Sequence, residues 1–302
     1  MKLLTYALPA SPALENVGIY IPEKEAVLPI AAAGINASSM TELIEMMQNE
    51  KIFAAAKEAS ENARFTDALS ADLIPYGTVV KKSPIPHPAQ DVICLGINYA
   101  AHAEESARYK KECFERNRDY AVYFSKRVDE AVADGQPIPS HSDVTSRLDY
   151  EAELAVIIGK DAYAVPEKQA MDYVFGYTIL NDVSARDLQT HHKQWYFGKS
   201  LDGFCPMGPW IVTADELEPV LDIRSYVNGE LRQNSTTALL MFDIPQIIAE
   251  LSAGITLKAG TIISTGTPSG VGMGFDPPKF LKAGDEVRCE IEGIGSLTNK
   301  VV

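Results

Sequence analysis

The chain has 302 residues, of which 46% are hydrophobic and 23% are charged, a composition typical of a globular protein with a sizeable core. Its 27 Lys and Arg residues are outnumbered by 41 Asp and Glu residues, and a formal net charge of -14 argues against a protein that binds nucleic-acid phosphates. The apolar runs are too short to span a bilayer. We therefore expect neither a nucleic-acid nor a membrane partner.

The N-terminus and the cysteines indicate the compartment. The first 20 residues contain one Lys and a short apolar patch interrupted by Pro9 and Pro12, which is not the pattern of a signal peptide. No Cys-x-x-Cys pair is present, and the wide spacing predicts reduced, mostly buried thiols. The four cysteines are Cys94, Cys113, Cys205 and Cys289. These features favour a cytoplasmic enzyme.

The first 80 residues differ in pattern from the rest. Residues 18–30 alternate enough to predict a short strand pair, and residues 39–63 have a helical pattern that opens at Ser39, with Glu42 three residues later. The segment that begins at Lys81 is proline-rich and has linker composition. We therefore predict a small N-terminal α/β domain over residues 1–80 and the main domain over residues 81–302.

The main domain is predicted to consist largely of strands. Short β-branched or aromatic runs, bounded by Gly, Pro or Asp, occur at residues 91–96, 151–159, 174–180, 208–213, 223–233, 260–265 and 285–295. Asn228-Gly229 predicts a two-residue hairpin turn. Helices are predicted from Asp243 to Gly254 and from Ser184, which we expect to cap its helix. The fold class is thus α+β, mainly β, with a mixed-β core.

A pair of glutamates suggests a metal site. In a strand, Glu151 and Glu153 point to the same face, where two like charges repel unless a cation lies between them. A solvated edge strand would also explain the pair. However, the apolar run at residues 154–158 has to be buried, so the two carboxylates are expected at the mouth of a core.

A third carboxylate, Asp182, follows an apolar strand and precedes a helix. Three carboxylates without a nearby His or Cys make a hard-oxygen site, which suits Mg²⁺, Mn²⁺ or Ca²⁺ better than Zn²⁺. Mg²⁺ or Mn²⁺ would keep bound water and leave room for an oxygen-rich substrate. We therefore predict a divalent-metal site formed by Glu151, Glu153 and Asp182.

Six sequence blocks, in this order, resemble the fumarylacetoacetate hydrolase family: GINYAAHAEE, LDYEAELAVIIGK, GYTILNDVSARDLQ, FGKSLDGFCPMGPW, VNGELRQ and STGTPSGVG. The resemblance covers residues 90–302, and the N-terminal region is similar to the extra domain of longer bacterial members. It implies a fumarylacetoacetate hydrolase-like mixed β-roll catalytic domain, a homodimer and a divalent metal held by Glu151, Glu153 and Asp182.

His102 and Glu105 are the candidate acid–base pair. Positions three apart on a helix face the same way, so the Glu105 carboxylate can orient the His102 imidazole. The surrounding charges alone would favour an ordinary surface helix, but the His-x-x-Glu spacing matches that of the family. Because residues 100–118 have few apolar anchors, we also predict that this segment acts as a lid.

Four further residues match the family's substrate-binding and catalytic positions. Arg186 and Gln189 lie three apart on one predicted helix and suit the carboxylate and carbonyl oxygen of a keto acid. Lys199 corresponds to the catalytic lysine beside the metal. Thr267, in a glycine-rich loop, is expected to contact the substrate carboxylate. The alternatives are a salt bridge for Arg186, a solvated loop for Lys199 and an ordinary tight turn for the loop.

The resemblance implies chemistry through an enolate of a metal-chelated keto acid. Our first interpretation is a hydrolase that cleaves a C–C bond of acylpyruvate-like β-diketo acids, with water activated by His102 and Glu105. The alternative is an oxaloacetate decarboxylase or a keto–enol tautomerase or isomerase at the same site. A metal-stabilised binding protein is a third hypothesis, which retention of both His102 and Glu105 disfavours.

Overall fold

The structure, a computed structural model, describes residues 1–110 and 119–302. Its strands are β1 (Lys2–Leu8), β2 (Ser11–Ile21), β3 (Ala26–Pro29), β4 (Ile74–Pro75), β5 (Val80–Lys81), β6 (Val92–Gly96), β7 (Val122–Lys126), β8 (Leu148–Asp149), β9 (Ala152–Ile158), β10 (Val174–Asn181), β11 (Ser184–Ala185), β12 (Met207–Thr213), β13 (Asp222–Val227), β14 (Glu230–Thr236), β15 (Ile262–Ser264), β16 (Glu286–Ile291) and β17 (Gly295–Lys300). The α-helices are α1 (Met40–Met46), α2 (Glu50–Phe65), α3 (Ala100–Lys110), α4 (Arg186–His191), α5 (Tyr196–Lys199) and α6 (Ile244–Ser252).

One large mixed sheet runs through the described part of the chain. Its order is β4-β3-β2-β1-β12-β10-β9-β15-β6-β7, with β5 beside β1. The strands pair antiparallel except β15 and β6, which are parallel. The N-terminal strands join this sheet through β1, which pairs with β12. The division into domains at residues 1–80 and 81–302 stays a prediction.

The centre of the sheet is buried on both faces. On β9, Val156 faces a core shared with α6 and the four-stranded sheet β14-β13-β16-β17, whereas Ile157 faces a second core built with β1, β2, α1 and α2. A strand covered on both sides has to be apolar at successive positions, which explains its unbroken hydrophobic run. The polar residues at the ends of β9 and β10 therefore lie at the border of a dense core.

The structure confirms the predicted fold class and most of the predicted elements. All seven predicted strand segments of the main domain contain strands, and Asn228 and Gly229 form the hairpin turn with φ angles of 52° and 80°. Ser39 caps its helix through a hydrogen bond from the Glu42 amide. The predicted helix over residues 39–63 is interrupted, since Asn49 caps α2 as a separate helix.

The predicted cap at Ser184 is wrong. Ser184 lies in β11, which pairs with β8, and Ala185 precedes α4 without a side-chain cap. The local pattern assigns Ser184 to the start of the helix, but pairing with β8 holds it in a strand instead. The start of α4, which carries Arg186, is therefore fixed by the pairing of β11 with β8.

No helix in the described ranges is long and apolar enough to cross a membrane. Cys94, Cys205 and Cys289 are free and buried, as predicted. The predictions for Cys113 and for residues 111–118 of the lid lie outside the described residues.

Candidate active site

Antiparallel pairing of β9 and β10 brings three carboxylates together. Glu153 lies opposite Leu180, and the Asp182 amide donates a 2.8 Å hydrogen bond to the Glu151 carbonyl. Carboxylate oxygens of Glu151, Glu153 and Asp182 all lie within 4.8 Å of one another, and all three residues are buried. The sequence predicts the three residues, and the strand register explains why they converge.

Three buried cations, Lys199, Arg186 and Lys126, lie against this cluster. The Lys199 Nζ lies 2.7 Å from Glu151 Oε2 and 2.5 Å from Asp182 Oδ2, while the Arg186 Nη1 lies 2.6 Å from Glu151 Oε1. Burial alone would raise the pKa of Glu151, but Lys199 and Arg186 outweigh it and hold that pKa below its ordinary value. Burial alone would lower the pKa of Lys199, but Asp182 and Glu151 raise it. We therefore expect Glu151 and Lys199 to be charged.

Glu153 has a different environment. Its Oε2 accepts hydrogen bonds from the Ser264 hydroxyl at 2.6 Å and from the Gly266 amide at 2.9 Å. Burial, followed by the neighbouring Asp182 and Glu151 carboxylates, raises the pKa of Glu153 well above its ordinary value. Glu153 has no ion-pair partner among the described residues, and a divalent cation between the three carboxylates would favour its charged form.

The donor set fits a hard divalent cation. Asp182 Oδ1 is buried, and the fully buried Lys126 Nζ lies 2.9 Å away as its ion-pair partner. Three converging carboxylates match the oxygen ligands of Mg²⁺, Mn²⁺ and Ca²⁺.

Helix α3 places the candidate acid–base pair above this cluster. The His102 Nδ1 lies 3.2 Å from Glu105 Oε2, and the two residues are 5% and 6% exposed. The Gly270 amide donates to both carboxylate oxygens of Glu105, at 3.0 and 3.3 Å. Gly274 leaves room for Glu105, since a Cβ there would lie 1.8 Å from Oε1. Glu105 is therefore held between the imidazole and the loop, whereas motion of the predicted lid stays a prediction.

A small cavity connects the acid–base pair with the carboxylate cluster. It is tight: about 20 Å³ is open to the centre of a water molecule, which is room for roughly one water. It is lined by all but two of the nine predicted site residues: His102, Glu151, Glu153, Arg186, Gln189, Lys199 and Thr267. Asp182 and Glu105 lie directly behind this lining, in contact with Lys199 and His102.

The three predicted substrate-binding residues are already engaged with protein groups. The Arg186 Nη1 donates to Gln189 Oε1 at 3.2 Å, and its Nη2 is buried without a hydrogen bond among the described residues. The Thr267 hydroxyl donates to the Ala152 carbonyl at 2.9 Å and accepts from Gln233 Nε2 at 2.7 Å. The geometry thus fixes all three side chains beside the cavity, and their contacts with substrate stay predictions.

Two buried residues that support the site are not among those predicted. Asp149 accepts hydrogen bonds from Arg186 Nε at 2.9 Å and from the amides of Gly272 and Met273 at 2.6 and 3.0 Å. Lys126 donates to the carbonyls of Val183 and Lys199. The alternation that selects Glu151 and Glu153 extends back to Asp149, so a sequence signal existed for it. None exists for Lys126, which lies more than 50 residues from its partners.

Asp149→Asn is expected to lower the free energy of unfolding by about 3 kcal/mol, because it removes the charge from a buried ion pair with Arg186. Denaturant unfolding measures this loss. Asp187→Asn is the matched control, since Asp187 is bonded to Thr145 and Ser146 but to no cation in the described part of the chain; its expected loss is about 1 kcal/mol. Equal losses in the two variants would contradict the assigned role of Asp149.

Comparisons with known proteins agree with this geometry. The family model for the C-terminal domain of fumarylacetoacetate (FAA) hydrolase matches residues 91–302. Oxaloacetate tautomerase YisK from Bacillus subtilis (strain 168) is 44% identical over 263 residues, which are 86% of this chain and 86% of that protein.

Two solved structures are similar over the whole length. Fumarylacetoacetate hydrolase from Exiguobacterium antarcticum has a TM-score of 0.79 and 36% identity, covering 100% of this chain and 99% of its own. Maleylpyruvate hydrolase from Sphingobium sp. SYK-6, in complex with manganese(II) and pyruvate, has a TM-score of 0.74 and 31% identity, with the same coverage. On its sequence, its fold and the composition of its site, this chain belongs to the fumarylacetoacetate hydrolase family.

Proposed function

We propose that this protein is a divalent-metal-dependent tautomerase that interconverts the keto and enol forms of a small 2-oxo dicarboxylic acid of the oxaloacetate type. The observation that carries the proposal is one small cavity in which a histidine faces a cluster of three carboxylates. The 44% identity to a tautomerase of oxaloacetate supports this reaction over the C–C cleavage that the sequence motifs favour.

Glu151, Glu153 and Asp182 are the residues that would hold Mg²⁺ or Mn²⁺, which would polarise the 2-oxo group and stabilise negative charge that develops on its oxygen. Lys199 supports the same charge with a fixed ammonium group and keeps Glu151 and Asp182 in place. Because Lys199 is buried and held by two carboxylates, its charge needs no reorganisation during the reaction.

His102 is the proposed proton carrier. Its Nδ1 is paired with Glu105, so Nε2 is the nitrogen left to take a proton from the substrate's C3 and to give it to the 2-oxo oxygen, or the reverse. Glu105 stabilises the imidazolium that forms, and its two contacts with the Gly270 amide keep it in that position. The net result is a shift of one proton between C3 and the 2-oxo oxygen, without loss of carbon.

Arg186, Gln189 and Thr267 are proposed to orient the substrate. The buried Nη2 of Arg186 is a charged donor suited to a carboxylate oxygen. Gln189 lies against the same guanidinium, and Thr267 borders the same cavity. A small acid held at both ends presents C3 to His102 in one orientation, which is what a proton transfer requires.

Hydrolysis of an acylpyruvate is the second candidate. The buried His102–Glu105 pair favours it because such a pair also activates water, and a structural neighbour is named as a maleylpyruvate hydrolase. Decarboxylation of oxaloacetate needs the metal and Lys199 but no activated water. The homodimer that the resemblance implies also stays a prediction.

A product assay separates the three reactions. Oxaloacetate, acetylpyruvate and longer acylpyruvates are incubated with Mg²⁺- or Mn²⁺-loaded enzyme, and products are followed by NMR. We expect faster exchange between enol and keto oxaloacetate with no net consumption, and no acceleration when a chelator is present. Pyruvate with carbon dioxide would replace the proposal by decarboxylation, and pyruvate with a carboxylic acid would replace it by hydrolysis.

A further inference from the structure

We infer that Trp195, packed edge-on against Gly96, limits the length of the 2-oxo acids that the site accepts. The inference rests on the proposed function, because it concerns which substrates of that class enter the same cavity. Both residues line the cavity, and Trp195 is not among the residues to which we assign a chemical role.

The contact between the two residues is unusually close. A Cβ at position 96 would lie 2.1 Å from Trp195 Cζ3 and 2.6 Å from Cη2, distances that no real side chain tolerates. Gly96 is the last residue of β6, in the sheet that carries the site. The indole therefore occupies the volume that any other residue at position 96 would take, and only glycine lets it approach the strand so closely.

Neighbouring groups fix the indole in this position. The Phe124 ring meets it edge-on, with ring centroids 5.2 Å apart. The Trp195 carbonyl accepts a 3.1 Å hydrogen bond from the Lys199 amide, so the tryptophan is tied to the short helix that carries the catalytic ammonium. This wall is thus part of the same rigid support as the charged groups.

Ile97 continues the wall. It lines the cavity and has a φ of 58°, in the left-handed region that β-branched residues rarely adopt. Such a conformation persists only where the surroundings impose it, so the shape of the wall here is held against a local preference. We infer that the wall does not yield easily to a longer ligand.

The charges within the cavity are unevenly placed. The cations Arg186 and Lys199 belong to the carboxylate cluster, whereas Ile97, Phe124 and Trp195 offer no charged group. The Lys199 Nζ lies 5.1 Å from the centroid of the Phe124 ring, so the apolar wall begins directly beside a cation. A longer acid held at the cations would meet this wall, where the indole already fills the space beside Gly96.

Binding of oxamates tests the inference without depending on turnover. Oxamate and its N-butyl and N-benzyl derivatives share one chelating end and differ in length, and calorimetry with Mn²⁺-loaded protein gives their dissociation constants. The wild type is expected to bind N-benzyloxamate at least about tenfold more weakly than oxamate. Trp195→Ala should reduce this ratio at least about fivefold while leaving oxamate affinity within about threefold.

Phe197→Ala is the matched control, because Phe197 is an exposed aromatic residue on the same helix and does not line the cavity. It should keep the wild-type ratio. Trp195→Phe retains a packed ring and should give an intermediate ratio, which keeps the test valid if the alanine variant does not fold. If Trp195→Phe or Trp195→Ala keeps the wild-type ratio of the N-benzyloxamate and oxamate dissociation constants, this inference is overturned and the proposed function is not. A wild type that binds none of the oxamates would overturn the proposed function as well.

Discussion

Glu153→Ala is expected to abolish activity and to remove the rise in Tm that Mg²⁺ or Mn²⁺ produces in the wild type. Glu153 is one of three carboxylates that converge on one point, and it is fixed there by Ser264 and Gly266. A ligand present at 100 times its Kd stabilises a folded protein by about 2.7 kcal/mol, which is a shift of several degrees in a domain of this size. Loss of one of three ligands should eliminate most of this shift.

Thermal melts with and without each metal, together with the tautomerisation assay, measure both effects. Glu58→Ala is the matched control, since Glu58 is exposed on α2, outside the candidate site. It should keep the full metal-dependent shift. A Glu153→Ala protein with metal-dependent activity equal to that of the wild type would contradict the assignment of the metal site.

His102→Ala is expected to slow tautomerisation by about 10² to 10⁴, the usual contribution of a positioned acid–base group. Its Nδ1 contacts Glu105, and His102 is the one described histidine in the cavity lining. Metal and oxamate binding should remain, because His102 is not one of the three clustered carboxylates. The expected signature is therefore a loss in kcat with a nearly unchanged metal-dependent Tm.

His191→Ala is the control for this variant, since His191 is exposed at the end of α4. Stopped-flow measurement of enol decay compares the variants under identical metal concentrations. If His102→Ala retains the wild-type rate, then the proton carrier is another group. If it retains acylpyruvate cleavage while Lys199→Ala abolishes oxaloacetate decarboxylation, decarboxylation becomes the leading function.

The sequence predicts the main features of the candidate site because they follow from short-range rules. Strand alternation selects Glu151 and Glu153, and Asp182 follows from its position between an apolar strand and a helix. The matching blocks of the family add Lys199. The three carboxylates converge because β9 and β10 pair in a register that no local pattern determines. Lys126 is the clearest residue beyond prediction, since a lysine at the end of a strand is normally solvated, yet this one is fully buried.

Local patterns also fail where tertiary pairing competes with them. Ser184 is a residue type that commonly caps helices, but here it pairs with β8 as a strand residue. Gly274 resembles an ordinary turn glycine, and only the folded chain shows that its missing side chain makes room for Glu105. In both cases the decisive partner lies far away in sequence, so no window of neighbouring residues contains the information.

The pairing of β1 with β12 places the first strand of the chain on what would otherwise be a sheet edge. In the register Lys2 opposite Val212 and Leu3 opposite Ile211, β1 covers the backbone of the strand next to β10. A chain that began near residue 91 would expose β12 as an open, apolar sheet edge, the kind of surface that promotes intermolecular β-pairing and aggregation. Each of the nine predicted site residues lies beyond residue 91, so such a chain would keep the candidate site and lose the cover of this edge.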